Sequence, residues 1–216
     1  VSYRTSTLGE EIARIHIPGR TTRLTDHSGP DGNWPTPEPP HRLNQRYIEP
    51  ILRLHVQKQA LITCLHRHQV MAFLQDEQGV TAHIQNLEWP DSPAFTLNAA
   101  YMVGCDGGRS MVRKGMGAKL VGDEVVQRVQ STCIRAPHLI ALMKAPPAWA
   151  MFTVNPRRSG NIYAIDGKEV WLIHNYLRDH EADFESVDRD WAIRTILGVG
   201  DDFEYEVMSN CLLYTS

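Results

Sequence analysis

Residues 101–113, YMVGCDGGRSMVR, constrain the fold of this chain more than any other stretch. The stretch opens with a continuously apolar run, which is typical of a strand buried on both faces of a sheet. An aspartate and two glycines follow at the predicted carboxyl end of that strand, where open α/β sheets bind ligands. A short helix, capped by Ser110, is predicted next. The sequence therefore predicts an α/β fold with a ligand-binding edge at Asp106.

The residue types at this edge suit a nucleotide. The two glycines permit positive φ and a close approach of the backbone to a ligand. The N-terminus of the following helix favours anions, and Arg109 and Arg113 add charge suited to phosphate. Asp106 could accept hydrogen bonds from sugar hydroxyls. Taken alone, however, Asp-Gly-Gly is also a common plain turn, and both interpretations stay open at this point.

Composition excludes several classes of protein. The chain has 216 residues, 42% of them hydrophobic, and a formal net charge of −3, so it can bury a core and lacks the basic excess of nucleic-acid binders. No apolar run approaches the ~20 residues that a membrane span needs. Four cysteines without a Cys-x-x-Cys pair indicate a reducing, cytoplasmic compartment. His66 and His68 have no third ligand nearby, so no metal site is predicted.

The composition of the chain changes near residue 122. Before it, a helix is predicted to begin at residues 46–47, with Gln45 at its mouth, and a hairpin turns at residues 76–79. Strand-like segments dominate after it, and a charged helix covers residues 188–197. Predicted strands are 61–64, 69–75, 80–85, 95–98, 101–105, 125–134, 149–154, 161–165 and 170–176.

These motifs resemble those of the FAD-dependent aromatic-ring monooxygenases, the single-component flavoprotein hydroxylases that include phenol and hydroxybenzoate hydroxylases. That family carries a segment of the type apolar–Gly–Cys–Asp–Gly–x–x–Ser–x–x–Arg, and every fixed position is present at residues 104–113. The helix start LNQRYIEPIL is similar to the family's Gln-x-x-x-Glu-x-x-Leu segment. STLGEEIARI and the strand-rich second half also match in order and spacing.

The resemblance implies two cofactors and their contacts. FAD and NAD(P)H would be bound through Gln45, Asp106, Gly107 and Arg113. It also implies the reaction: reduced flavin traps O₂ as a C4a-hydroperoxide, which hydroxylates a small phenolic substrate. No side chain is expected to act as a covalent catalyst, because the cofactor supplies the hard chemistry.

The resemblance further implies that the second half roofs a substrate pocket. Tyr163, His174 and Tyr176 would orient an aromatic substrate, and Arg157 or Arg158 would steer an anionic ring substituent. Plain packing of these residues within the sheet is the alternative. Ser159, Asp166 and His174 could also suggest a hydrolytic triad, but no nucleophile-elbow Gly-x-Ser-x-Gly accompanies them.

We therefore expect residues 1–121 to form a partial FAD/NAD(P)-binding, Rossmann-like domain and residues 122–210 a mixed β-sheet substrate domain. Residues 211–216, CLLYTS, are expected to be a non-native tail, because their back-translation matches a sequencing-library end sequence. The family's Gly-x-Gly-x-x-Gly and Gly-Asp segments are absent from this sequence. We therefore expect this chain to be an internal fragment that binds FAD weakly and is inactive alone.

Two other functions remain open from the sequence. One is a related flavoprotein that performs epoxidation or Baeyer–Villiger oxidation. The other is a non-catalytic α/β binding module with a coincidental Asp-Gly turn. The oligomeric state is not predicted.

Overall fold

The computed structural model describes residues 1–123, 125–181 and 183–215, with only the backbone described for residues 211–215. The chain forms two compact units. The larger unit joins Val1–Asn44 to the described residues from Asp123 onward, and the smaller unit is Gln45–Gly122. No described helix is long and apolar enough to cross a membrane.

The larger unit is built on a seven-stranded mixed sheet, and its described residues also form two helices. The strands lie in the spatial order β10-β6-β9-β8-β7-β1-β2, and β1 and β7 form its one parallel pair among the described strands. In chain order the elements are β1 (Ser2–Arg4), β2 (Glu11–Arg14), β6 (Gln127–Arg135), α3 (Leu139–Leu142), β7 (Ala150–Thr153), β8 (Gly160–Ala164), β9 (Val170–Tyr176), α4 (Arg189–Leu197) and β10 (Glu206–Thr215). The second of these helices, α4, begins at a side-chain cap: Asp188 accepts a hydrogen bond of 2.7 Å from the Trp191 backbone N–H.

One face of the large sheet packs under α4 and forms the core of the unit. The core residues alternate along β6, β8 and β9, because successive strand side chains point to opposite faces. They meet the apolar side of α4 in one buried cluster: Ile134, Ala136, Leu139, Met151, Ile162, Trp171, Ile173, Ile193, Ile196 and Leu197. Gly160 allows this close packing, since a Cβ there would lie 2.5 Å from the Ile196 side chain.

The smaller unit combines a three-stranded antiparallel sheet with two helices. Its elements are α1 (Gln45–Gln57), β3 (His68–Asp76), β4 (Gly79–Asn86), β5 (Phe95–Ala99) and α2 (Met111–Gly115), with β4 central. The predicted hairpin is confirmed: the Asp76 carboxylate accepts hydrogen bonds from the backbone of Gln78 and Gly79 at 2.8 and 3.1 Å. The predicted helix is also confirmed, with Gln45 as its first residue and Pro50 in its first turns.

Two predicted strands of the smaller unit are wrong. Residues 61–64 form a turn and an irregular segment, and residues 101–105 are irregular. Tyr101 and Val103 are 88% and 82% exposed rather than buried. An apolar run is buried as a strand only where neighbouring strands flank it, and no described strand of the chain pairs with residues 101–105.

The predicted fold class, an α/β chain with a mixed β-sheet in its second half, is confirmed. The smaller unit ends at Gly122, and residues 1–44 belong to the larger unit together with the strands that follow Gly122. The roles assigned to residues 1–121 and 122–210 stay predictions. The sequence did not predict β1, β2 and β10. The proposed non-native tail, 211–216, is described only as backbone: residues 211–215 pair with β6, and Ser216 lies outside the described residues.

Candidate functional site

The Asp-Gly loop of the smaller unit is organised by the Asp106 carboxylate. Its Oδ1 accepts a hydrogen bond of 2.5 Å from the Ser110 hydroxyl. Its Oδ2 accepts from the backbone N–H groups of Met111 and Val112, at 2.6 and 3.3 Å. The Ser110 hydroxyl, and then these N–H groups, hold the pKa of Asp106 below its usual range despite some desolvation. Asp106 is therefore an anion that closes the start of α2.

Glycine is favoured at positions 104 and 107 of this loop for different structural reasons. A Cβ on Gly104 would lie 2.6 Å from the Val112 side chain, so glycine is needed there for the loop to pack on α2. Gly107 has φ of +77°, which favours glycine, and no heavy atom lies within 4 Å of a Cβ built at Gly107 or Gly108. The backbone of these two residues faces open space within the described chain, so a planar group could approach it closely.

The other two predicted cofactor contacts lie at element ends of the same unit. The Arg113 guanidinium donates a hydrogen bond of 2.9 Å to the Gly108 carbonyl and so holds the glycine loop. Its Nε is buried and has no hydrogen-bond partner in the part of the chain described. Gln45 is exposed at the first turn of α1. The roles of Gln45, Asp106, Gly107 and Arg113 toward a cofactor stay predictions.

The larger unit carries an aromatic surface on the face of its sheet opposite α4. Asn161 pairs with His174, and Tyr163 with Leu172, between β8 and β9. Because directly opposed residues of neighbouring strands share a face, these side chains lie together. The Tyr163 ring contacts His174 edge-on, with ring centroids 5.3 Å apart, and Trp149 at 5.2 Å. We call Trp149, Asn161, Tyr163, His174 and Tyr176 the aromatic face.

Polar groups of the aromatic face have unused hydrogen-bonding capacity. Within the described residues, neither atom of the Asn161 amide has a partner, although the residue is fully buried, and His174 Nε2 has none either. Burial lowers the pKa of His174, so its neutral form is favoured. Burial, and then the neighbouring Tyr163, raise the pKa of Tyr176. Unpaired buried polar groups are costly, and a bound ligand is one way to pair them.

Arg158 does not lie on this face as a free cation. It is 1% exposed and forms a bidentate ion pair with Glu181, with N···O distances of 2.9 to 3.1 Å. Its guanidinium also lies 5.7 Å from the centre of the Trp191 ring. The structure therefore corrects the prediction that Arg158 steers a substrate, because its charge is already compensated inside the protein.

The structure also gives other partners to the members of the possible triad. The Asp166 carboxylate accepts three backbone hydrogen bonds, from residues 168, 169 and 170, and closes the β8–β9 turn. The Ser159 hydroxyl donates to the Asn155 carbonyl at 3.1 Å. The Asp166 carboxylate and the Ser159 hydroxyl each stabilise a local turn, and the His174 ring contacts Tyr163 instead. Among the described residues, no group of three His, Cys, Asp or Glu side chains could hold a metal ion.

Sequence reasoning did not single out Asn161. A polar residue within an apolar strand segment was its one signal, and its position opposite His174 became visible only from the strand register. The contact of Trp149 with Tyr163 depends on the register in which β7 pairs with β8, which the sequence pattern alone does not show.

The fold is that of flavoprotein hydroxylases. The chain has a TM-score of 0.78 to the flavin-dependent monooxygenase PieE, solved with FAD and substrate, at 22% identity over 99% of this chain and 36% of that one. Residues 11–198 match the FAD binding domain family, and the chain belongs to that family. The predicted resemblance to FAD-dependent monooxygenases is confirmed.

Curated relatives have related activities. The chain is 26% identical over 152 residues to the FAD-dependent monooxygenase opdD of Penicillium oxalicum, covering 68% of this chain and 28% of that protein. It is 32% identical over 78 residues to the 3-(3-hydroxy-phenyl)propionate/3-hydroxycinnamic acid hydroxylase of Klebsiella pneumoniae, covering 36% of this chain and 14% of that protein. The chain thus matches less than a third of the length of either relative.

Proposed function

We propose that the whole protein is a monooxygenase that uses FAD, NAD(P)H and O₂ to hydroxylate a small phenolic ring. The observation that carries the proposal is the aromatic face, where tilted and edge-on ring contacts adjoin polar atoms that have no hydrogen-bond partner among the described residues. Such a combination suits a planar substrate that has one hydroxyl to orient. Membership of the FAD binding domain family and the names of the curated relatives support the same class of reaction.

The Asp-Gly loop is the part of this chain that would hold FAD. The open space in front of Gly107 and Gly108 fits a close approach by a cofactor. The Asp106 carboxylate has about four acceptor positions and uses three within the loop, so one remains for a ligand hydroxyl. When bound, FAD supplies the redox chemistry that activates O₂ with electrons from NAD(P)H. Gln45 and Arg113 are proposed as further contacts.

The aromatic face would bind and orient the substrate. The rings of Trp149 and Tyr163 offer an apolar wall for the phenol ring. Because the neutral form of His174 is favoured, Nε2 can accept a hydrogen bond from the substrate hydroxyl when the proton lies on Nδ1. The amide of Asn161 lies opposite His174 in register but is fully buried, so we expect neighbouring side chains to shift before it can pair with the same hydroxyl. Together these contacts fix which ring carbon faces the oxidant and keep water away from it.

The proposal is tested by single substitutions in the whole protein. Tyr163→Phe, His174→Ala and Tyr176→Phe are each compared with Trp191→Phe, which alters a ring on α4. We expect His174→Ala to raise KM about fivefold or to reduce the fraction of NAD(P)H oxidation that yields hydroxylated product, since one net hydrogen bond is worth about 1 kcal/mol. Normal KM and normal coupling in all three variants would overturn the assignment of this face.

A further inference from the structure

A second site of the larger unit is a cationic cavity at the edge of the aromatic face. Its volume is about 390 Å³, and its wall comes from residues 1, 14–20, 23, 40–42 and 147–149. The described lining has no carboxylate, and its charged or titratable groups are the α-amino group of Val1 and the side chains of Arg14, Arg20, Arg23, Arg42, His16 and His41. Trp149 and several prolines supply the apolar part of the wall. We call this space the arginine cavity.

Arg23 is the buried cation of the arginine cavity. It is 3% exposed, and its Nη2 donates to the Asp31 carbonyl at 3.3 Å. Its Nε and Nη1 are buried and have no hydrogen-bond partner among the residues that the structure describes. A guanidinium carries five N–H donors, so most of its capacity is unused here. Leaving donors of a charged group unpaired costs more than leaving neutral ones, which points to an acceptor that enters from outside.

The local charge is also incompletely balanced. The Asp31 carboxylate lies 2.6 Å from Arg42 Nη1 and 3.8 Å from Arg23 Nη2, so one anion serves two guanidinium groups. Arg14 has its own partner in Glu11, at 2.7 Å. The pair Arg23–Arg42 therefore retains about one net positive charge beside the cavity. A partly buried cation of this kind attracts an anion more strongly than an exposed one does.

The arginine cavity is joined to the aromatic face through one ring. Trp149 lines the cavity and contacts Tyr163, with ring centroids 5.2 Å apart. The Arg42 guanidinium lies 5.2 Å from the centre of the same Trp149 ring. A ligand that has an anionic group on an aromatic ring could place the group beside Arg23 and Arg42 and the ring against Trp149.

We propose that the arginine cavity binds an oxyanion, a carboxylate or a phosphate, through Arg23 and Arg42. Guanidinium groups pair with both anions in bidentate geometry. The site stands on residues of the larger unit alone, and only its assignment to a carboxylate of the aromatic substrate rests on the proposed function. Because Nε and Nη1 of Arg23 are buried in the protein alone, we expect rim side chains to shift when the anion enters.

Calorimetric titration of the purified chain tests the site with three probes. These are 3-hydroxybenzoate, its neutral match 3-hydroxybenzyl alcohol, and inorganic pyrophosphate, all at low ionic strength. Each is titrated into the wild type, Arg23→Gln, Arg42→Gln and His174→Ala. Arg157→Gln is the matched control, because it removes the same charge from an exposed position that lines a different cavity.

We expect at least one anion to lose about tenfold or more in affinity in Arg23→Gln and Arg42→Gln, and less than twofold in Arg157→Gln, as for the loss of a hydrogen bond to a charged group. Preference for 3-hydroxybenzoate over the alcohol assigns the site to a substrate carboxylate. Preference for pyrophosphate alone assigns it to a phosphate source. Arg42 is partly exposed, so its variant keeps the test valid if Arg23→Gln does not fold.

Anion affinities that do not respond to Arg23 or Arg42 would overturn this inference. Binding of the neutral alcohol that depends on His174 but not on these arginines would leave the proposed function intact while the oxyanion site fails. Anion binding that depends on Arg23 and Arg42 but not on His174 would support the oxyanion site while the substrate assignment of the aromatic face fails.

Discussion

The two units differ in how far the chain itself covers their apolar residues. In the larger unit, the core face of the seven-stranded sheet is closed by α4, and Trp171, Ile173 and Ile196 are fully buried. In the smaller unit, α1 has no buried residue, and Tyr101 and Val103 are largely exposed. The pattern of apolar residues thus indicates which residues are suited to burial. Whether they are buried depends on the neighbours that the fold provides.

The largest expected difference between the units is in the cost of deleting an aromatic ring. Trp171→Ala removes a fully buried ring from the core cluster and should lower the free energy of unfolding by about 3–5 kcal/mol. Tyr101→Ala removes a ring that is 88% exposed and should change it by less than about 0.5 kcal/mol. Urea unfolding followed by circular dichroism measures both.

Similar losses of unfolding free energy in Trp171→Ala and Tyr101→Ala would show that the two units do not differ in the burial of these rings. A large cost for Tyr101→Ala alone would mean that residues 101–105 are buried in solution, as the sequence pattern predicts. Ile173→Ala provides a second core deletion, for which about 2–5 kcal/mol is expected.

A smaller difference is expected in the response of the two units to acid. Burial lowers the pKa of His174, so the unfolded chain takes up this proton first as the pH falls through about 6.5. The contribution of neutral His174 is therefore complete above that pH and is lost as the pH falls toward its folded pKa. His174→Asn should make the dependence of unfolding free energy on pH shallower between about pH 7 and 5.

Asp106 supplies the matched control from the smaller unit. Its pKa is also lowered, first by the Ser110 hydroxyl, so its contribution is present above the unfolded pKa of about 3.9 and is lost only as the pH falls through the folded value. Asp106→Asn should leave the slope between about pH 7 and 5 unchanged. An equal change of slope in both variants would show that the titration of His174 is not the cause.

Local signals in the sequence predicted most elements of the fold. The hairpin at residues 76–79, the helix beginning at Gln45 and the strand β9 each follow from turn chemistry or periodicity within a few residues. The parallel pairing of β1 with β7 could not be predicted in this way, because it joins segments about 150 residues apart whose short patterns carry no register. The same limit applies to the placement of residues 1–44 in the larger unit.

The candidate sites show the same division. Ser110 as a cap and the glycine loop were predictable, since each acts within its own turn. The ion pair between Arg158 and Glu181 could not be predicted, because a sequence does not show whether an arginine has a partner. Arg23 was not singled out for the same reason. Its unused donors become visible only when burial and partners are known.

Binding of a phenolic ring at the aromatic face can be observed by nuclear magnetic resonance on the isotope-labelled chain titrated with phenol. We expect saturable shifts of the ring resonances of Tyr163 and His174 and of the Trp149 indole, and His174→Ala should weaken them. The indole of Trp191, on α4, should not respond. Shifts confined to Trp191 and other rings outside the aromatic face, with Tyr163 and His174 unchanged at saturation, would show that the aromatic face does not bind the ring.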